Sequence, residues 1–265
     1  MNMFWHELRV YRKSTVIWSL SMVVLTVISL SMFPAISRDA ADFQRILEGY
    51  PEGVRKAFGI SIDSVSTFLG FYSYIFGYVL LCGAMQAMHL GLSILSKEMR
   101  EKTADFLLTK PVTRTQIVSA KLAAAVVSLA VTSLVYVAAA AVSAAAVSEK
   151  PVDGKLFLMV SIPVFFVQLM FLALGLLLSV LLPGIKSVLS VSLTAVFGFF
   201  IIGMLGSAFD EEAVRYATPF RYYDAAYIIR HGAYEPIFLV MEGIIVIAAV
   251  AGAYWMYQKK DVHAV

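Results

Sequence analysis

LFLMVSIPVFFVQLMFLALGLLLSVLLPGI, Leu156 to Ile185, runs for 30 residues without an Asp, Glu, Lys or Arg. A helix crosses roughly 30 Å of hydrocarbon with about 20 apolar residues, so this stretch is long enough to span a bilayer. Working outward, four more charge-free runs have spanning length: Ser14–Ser37, Ser64–Ser96, Leu122–Ser148 and Ser187–Phe209. A sixth, Pro236–Gln258, carries one carboxylate, Glu242. Lipid admits only helices or closed barrels, because every backbone polar group must be satisfied within the protein. The alternation of barrel strands is absent. The expected fold is therefore an all-α integral membrane protein, with six transmembrane helices in a single domain over 1–265. Their spans are about 15–37, 67–96, 117–147, 156–182, 186–208 and 236–258.

The composition of the 265 residues agrees. Sixty per cent are hydrophobic and 15% charged, against about 45–50% and 25% in soluble domains. A soluble fold of this length cannot cover that much apolar surface. A soluble enzyme and a disordered chain are excluded, and the single cysteine, Cys82, excludes a disulfide-stapled scaffold. No cleavable signal is expected, because the first run is long enough to span and no A-x-A-type site follows it. An even number of spans leaves both termini on one side. With the termini in the cytoplasm, the inner segments collect 12 Lys and Arg against five acids, and the outer segments nine against twelve. The positive-inside rule therefore predicts cytoplasmic termini.

The first 13 residues, MNMFWHELRVYRK, put Phe4, Leu8 and Tyr11 on one helical face with Trp5 beside it. Two readings stand: an amphipathic helix lying in the membrane interface, or a basic anchor that sets topology. Outside, QRILEGYPEGVRKAFGI (44–60) predicts two short helices broken at Gly49–Pro51, with Phe43, Ile46 and Leu47 on one apolar face and Val54 and Phe58 on another. TPFRYYDAAYIIRHG (218–232) reads either as an interfacial aromatic belt or as an outer gate. In span three, Ser128 and Thr132, and again Ala141 and Ala145, have the small-residue spacing that lets helices approach closely.

Polar groups within spans are candidate functional positions. Gln86 and His89, three residues apart, share a face of span two. Each either hydrogen-bonds across helices or lines a pathway. Gln168 in span four reads as an amide joining helices. Glu242, near the outer end of span six, either reaches the headgroups or serves a cationic substrate or a proton.

The most charged stretch is KEMREKTADFLLTKPVTRTQIVSAK, Lys97 to Lys121. A helix through Glu98–Thr109 places Met99, Thr103, Phe106 and Lys110 on one side, with Leu107 and Leu108 adjoining. Pro111 ends it, because proline disfavours helical geometry in the residue before it. Arg114 and Lys121 are expected to anchor span three at the headgroups. Such a helix suits a protein–protein contact, or rests on lipid as a topology-setting loop.

The run E-x-x-x-K-T-x-x-x-L-L-x-x-P-V-x-R with a Lys seven residues on resembles the coupling segment of bacterial ABC exporter permeases of the ABC-2 type. Glu98, Thr103, Leu107, Leu108, Pro111, Arg114 and Lys121 occupy the motif positions, with Lys102 where many members carry Gly. PFRYYD, Pro219 to Asp224, also resembles the segment before the last span in some members. The resemblance implies a subunit of the bacterial cytoplasmic membrane that works with a second permease, identical or sibling. It also implies a separate ATPase gripping Glu98–Thr109 with Phe106 in the contact, and a drug, peptide or lipid-like substrate moved outward. ATP and Mg would be used by that partner. This chain lacks G-x-x-x-x-G-K-[ST], since Gly184–Ser187 reads GIKS, so no cofactor is expected on it. No catalytic residue, metal ligand or nucleic-acid partner is expected, and membrane lipid surrounds it. The rivals are an ion-driven secondary transporter, which needs charged or broken-helix sites near the midplane, and an intramembrane enzyme. Neither H-E-x-x-H nor G-x-S-x-G occurs.

Overall fold

Each of the six apolar runs is mainly helix in the computed structural model, which describes residues 2–60, 66–100, 113–148, 150–182 and 184–259. In order these are α1 (Asn2–Ser31), α2 (Phe33–Arg38), α3 (Ala40–Glu48), α4 (Glu52–Ala57), α5 (Phe68–Arg100), α6 (Arg114–Val147), α7 (Gly154–Ser161), α8 (Pro163–Leu181), α9 (Val188–Ala208), α10 (Ala225–His231) and α11 (Pro236–Lys259). Two 3₁₀ turns, Glu212–Ala217 and Pro219–Arg221, precede α10. Six helical stretches are long and apolar enough to cross a membrane, and no strand occurs among the described residues.

The helices alternate in direction between two ends. At the terminal end the start of α6 meets the end of α11: Ser119 and Tyr254 hydroxyls bond at 2.8 Å, and Gln258 Nε2 donates to Thr115 Oγ1 at 3.2 Å. At the opposite, cap end lie α2 to α4, the 209–224 segment and α10. Lys56 of α4 pairs there with Asp210 at 2.6 Å. The two short helices broken at Gly49–Pro51 are α3 and α4. Leu47 is buried, but Ile46 faces outward and Val54 and Phe58 are exposed.

α5 and α8 are the most enclosed spans, and they pack chiefly on each other; α1 packs chiefly on α6. The α5–α8 crossing is made by two glycines. A Cβ on Gly175 would stand 2.7 Å from the Met88 carbonyl oxygen and 3.0 Å from the Leu92 nitrogen, and one on Gly91 would strike the Leu172 carbonyl. Backbone thus lies on backbone, which maximises dispersion contact where lipid supplies no hydrophobic drive between helices.

One expectation is corrected, and one span carries an internal joint. α1 is continuous from Asn2 to Ser31, so no break separates an interfacial helix over 1–13 from the first span. Glu7, Tyr11, Ser19, Met22, Thr26 and Leu30 form one buried stripe along it. These positions, three, four or eight residues apart, share one helical face, which packs the start of α1 on the bundle. The fourth span divides at Ile162 into α7 and α8. Pro163 has no N–H to return to the Met159 carbonyl. The Tyr234 hydroxyl donates to that carbonyl instead, at 2.9 Å, as a low-dielectric setting requires.

Candidate functional site

The segment expected to meet a partner is framed by α5 and α6. Glu98 lies in the last turn of α5, and Arg114 opens α6. Thr103, Phe106, Leu107, Leu108 and Pro111 lie outside the described residues. α6 starts on a capping box: Thr113 Oγ1 accepts from the Gln116 N–H at 3.2 Å, and Gln116 Oε1 accepts from the Thr113 N–H at 3.1 Å. Both donors would otherwise be orphaned at a helix start.

Lys121 corrects the headgroup-anchor expectation. It is 2% exposed, and its ammonium donates to the Ile94 carbonyl of α5 at 3.1 Å and lies 3.8 Å from Glu7 Oε1 of α1. One side chain of α6 thereby joins three helices at the base of the 101–112 segment. Spacing alone gives no sign of this, because Glu7 lies far away along the chain.

Halfway along the bundle, polar groups form a ladder across four spans. Ser19 Oγ donates to Thr132 Oγ1 at 3.3 Å, and Gln86 Nε2 donates to the same oxygen at 2.9 Å. Gln168 Nε2 donates to Gln86 Oε1 at 3.3 Å, and Ser133 Oγ donates to Gln168 Oε1 at 2.7 Å. Gln86 and Gln168 are therefore both cross-helix groups. His89, three residues on, is half-buried. The spacing of Ser128 and Thr132 implies close packing with weak cross-helix hydrogen bonds, and Thr132 is the hub of this ladder. A second cluster, missed in the sequence, joins Tyr72 of α5 to Tyr136 of α6 at 2.5 Å and to Ser161 of α7 at 2.6 Å. Scanning spans for hydroxyls as well as amides and charges would have flagged it.

Glu242 belongs to a separate arrangement at the cap end. It is buried rather than in the headgroups, and the Tyr223 hydroxyl donates to its Oε2 at 2.5 Å. Burial, and then this carboxylate, hold the Tyr223 hydroxyl well above its ordinary range, so it stays the donor. Tyr222 is buried too and donates to the Tyr216 carbonyl at 3.1 Å. These tyrosines are packed inside the cap end, not displayed as a belt.

The surrounding segment is seated on glycines of α9. A Cβ on Gly206 would stand 2.6 Å from Val214 Cγ1 and 3.4 Å from Arg221 Nη1. Arg215 Nη2 pairs with Glu235 at 2.5 Å and its guanidinium lies 4.5 Å over the Phe238 ring. Among the described residues Arg221 makes no comparable pair. Burial, and then the neighbouring Arg215 charge, lower its pKa. Among the described residues no group of three or more His, Cys, Asp or Glu gathers as metal ligands would.

Six apolar helices held by buried polar crossings define a multi-pass membrane protein. The family model described as ABC-2 family transporter protein matches residues 1–262, and the chain belongs to that family. It is a permease of the ABC transporter class, a membrane transport domain. Comparison with curated proteins returns no match.

Proposed function

We propose that this chain is the membrane subunit of an ATP-driven exporter of the bacterial cytoplasmic membrane, with both termini in the cytoplasm. It works with a second permease, identical or sibling, and with a separate ATPase that binds ATP and Mg. The observation that carries this reading is family membership over 1–262. The substrate is a drug, a peptide or a lipid-like molecule moved outward.

The ATPase docks on the segment beginning at Glu98, through Thr103, Phe106, Leu107 and Leu108, with Pro111 and Arg114 setting its exit. The geometry around that segment supports force transfer. α5 and α6 enter and leave it directly, and Lys121 joins them to α1. Movement of the segment would therefore act on three helices at once. The ladder through Gln86, with His89 beside it, and the Glu242–Tyr223 pair are the polar contacts that a helix rearrangement would exchange.

The test is co-purification. The tagged chain, extracted in mild detergent from its native cell, is expected to bring down a stoichiometric protein with a phosphate-binding loop and vanadate-sensitive ATPase activity. Recovery of the chain alone, under conditions that preserve a control complex, would overturn the proposal.

A further inference from the structure

Glu7 is the only carboxylate before Asp39, and it is turned into the bundle towards Lys121. The basic residues that follow it lie on the outside. Arg9, Arg12 and Lys13 of α1 are all exposed. Among the described residues no carboxylate pairs with any of them. At intervals of three, four and seven, Arg9 and Lys13 continue along one side of the helix into Val16, Ile17 and Leu20, which are exposed as well. This side of α1 is therefore basic at its start and apolar beyond.

The polar ladder fixes the depth of the basic end. Ser19 of α1 bonds Thr132 of α6. Thr132 and Gln168 stand near the middle of the apolar stretches Thr115–Val147 and Gly154–Leu181, which puts the ladder at the bilayer midplane. Arg9 precedes Ser19 by ten residues, about 15 Å along a helix axis. Half the thickness of a hydrocarbon layer is also about 15 Å, so Arg9 falls at its edge. Arg12 and Lys13 start about 10 Å from the midplane, and their long stems carry the charge out to the headgroups.

We propose that the exposed side of α1 binds an anionic phospholipid, its phosphate on Arg9, Arg12 and Lys13 and its acyl chains along Val16, Ile17 and Leu20. Arginine and lysine at this level match the charge of a phosphate. A water-soluble protein could meet the basic end, but it could not follow the apolar side into the hydrocarbon. A second copy of this chain meeting the face across a two-fold axis would set like charge against like charge. Binding here needs no ATPase and no transported substrate, so the full chain alone tests it, whether or not the exporter reading stands.

The three tryptophans are Trp5 and Trp18 of α1 and Trp255 of α11. Trp255 is exposed, and Trp255→Phe leaves only the two reporters on α1. This chain is reconstituted in phosphatidylcholine vesicles containing either phosphatidylglycerol or phosphatidylcholine with brominated chains, and tryptophan quenching is followed as the brominated fraction rises. Brominated phosphatidylglycerol is expected to quench with about tenfold or more the apparent affinity of brominated phosphatidylcholine, since each basic side chain at a membrane surface adds severalfold. Replacing Arg9, Arg12 and Lys13 together by Gln should make the two lipids equal. Arg9→Gln alone, the milder change if the triple variant fails to insert, should cost about fivefold. Lys150→Gln with Lys155→Gln removes two exposed charges at the turn between α6 and α7 and should leave the preference intact. Equal quenching by both lipids in the starting chain would overturn the proposal, as would an unchanged preference in Arg9→Gln or in an inserted triple variant. Loss of the preference in the Lys150 and Lys155 variant would also overturn it, by reducing the effect to net charge. If neither lipid quenches, protein rather than lipid covers this side of α1, and the proposal falls.

Discussion

Lys121 illustrates how a single charge is accommodated in this molecule. Its ammonium is out of water and faces one carbonyl and one carboxylate. Removing one partner of a buried pair leaves the other charge uncompensated, whereas removing both relieves that cost. Glu7→Gln and Lys121→Met are each expected to lower stability by about 3 kcal/mol. The double variant should lose less than the sum of the two, read from thermal unfolding in detergent. Strict additivity would mean that the pair contributes nothing. Tyr223 and Glu242 offer a second contrast. Tyr223→Phe leaves a buried carboxylate without its donor, while Glu242→Gln keeps an oxygen to accept the bond. Tyr223→Phe should therefore cost more, about 1–3 kcal/mol, and equal losses would contradict this reading. These pairings were only half legible in the sequence. Lys121 stands seven residues beyond Arg114, two turns and about 10 Å further along the helix, a depth that the headgroup-anchor reading passed over. Its partner in α1 was not legible, because no local pattern points to Glu7. For Glu242, position on the helix was read correctly, but the donor comes from a segment whose path depends on how it seats on Gly203 and Gly206.

At the scale of elements, apolar runs of spanning length leave the chain little choice but helix, although α1, α5 and α6 run on through the charges that flank their apolar runs. The joints are subtler. Pro163 was visible, but its consequence depends on whether another group reaches the Met159 carbonyl, and Tyr234 does. Span three shows why spacing alone misleads. Ser128 and Thr132 face the core, but Ala141 and Ala145, with the same interval, are exposed. An interval of four fixes a shared face, not which way that face turns. The α5–α8 crossing gives a direct test. Gly175→Ala would push a methyl to 2.7 Å from the Met88 carbonyl. Neither backbone can yield without parting the helices, so a loss of about 1–3 kcal/mol is expected, the usual cost of overpacking. Gly77→Ala is the control, since its Cβ would meet nothing within 4 Å. A Gly175→Ala protein as stable as Gly77→Ala would show that the crossing is looser than this geometry requires.

At the scale of the whole molecule, the bundle joins a braced terminal end to a cap end of packed tyrosines. α5 and α6 run the full distance between them, with the 101–112 segment at one end of both. If an ATPase drives this permease, the proposed entry for its force is that segment, which connects the two helices that Lys121 ties to α1. A change that spoils the partner's grip should leave the bundle intact, since the core is made of α5 packed on α8 and α1 packed on α6. Charge reversal, Glu98→Lys, and the paired change Leu107→Asp with Leu108→Asp act on opposite kinds of contact, one ionic and one apolar. Both variants are expected to insert normally and to unfold within about 0.5 kcal/mol of wild type, the scale of a substitution that leaves the helix packing untouched. Both should lose ATPase co-purification and transport by about tenfold or more, the loss that follows when a few contacts dominate an interface. Lys121→Met provides the necessary contrast. It sits behind the segment, so it should lower stability while leaving the partner bound. If the Glu98 and Leu107–Leu108 variants keep full transport and full complex, force enters elsewhere, and the brace at Lys121 is only a structural staple.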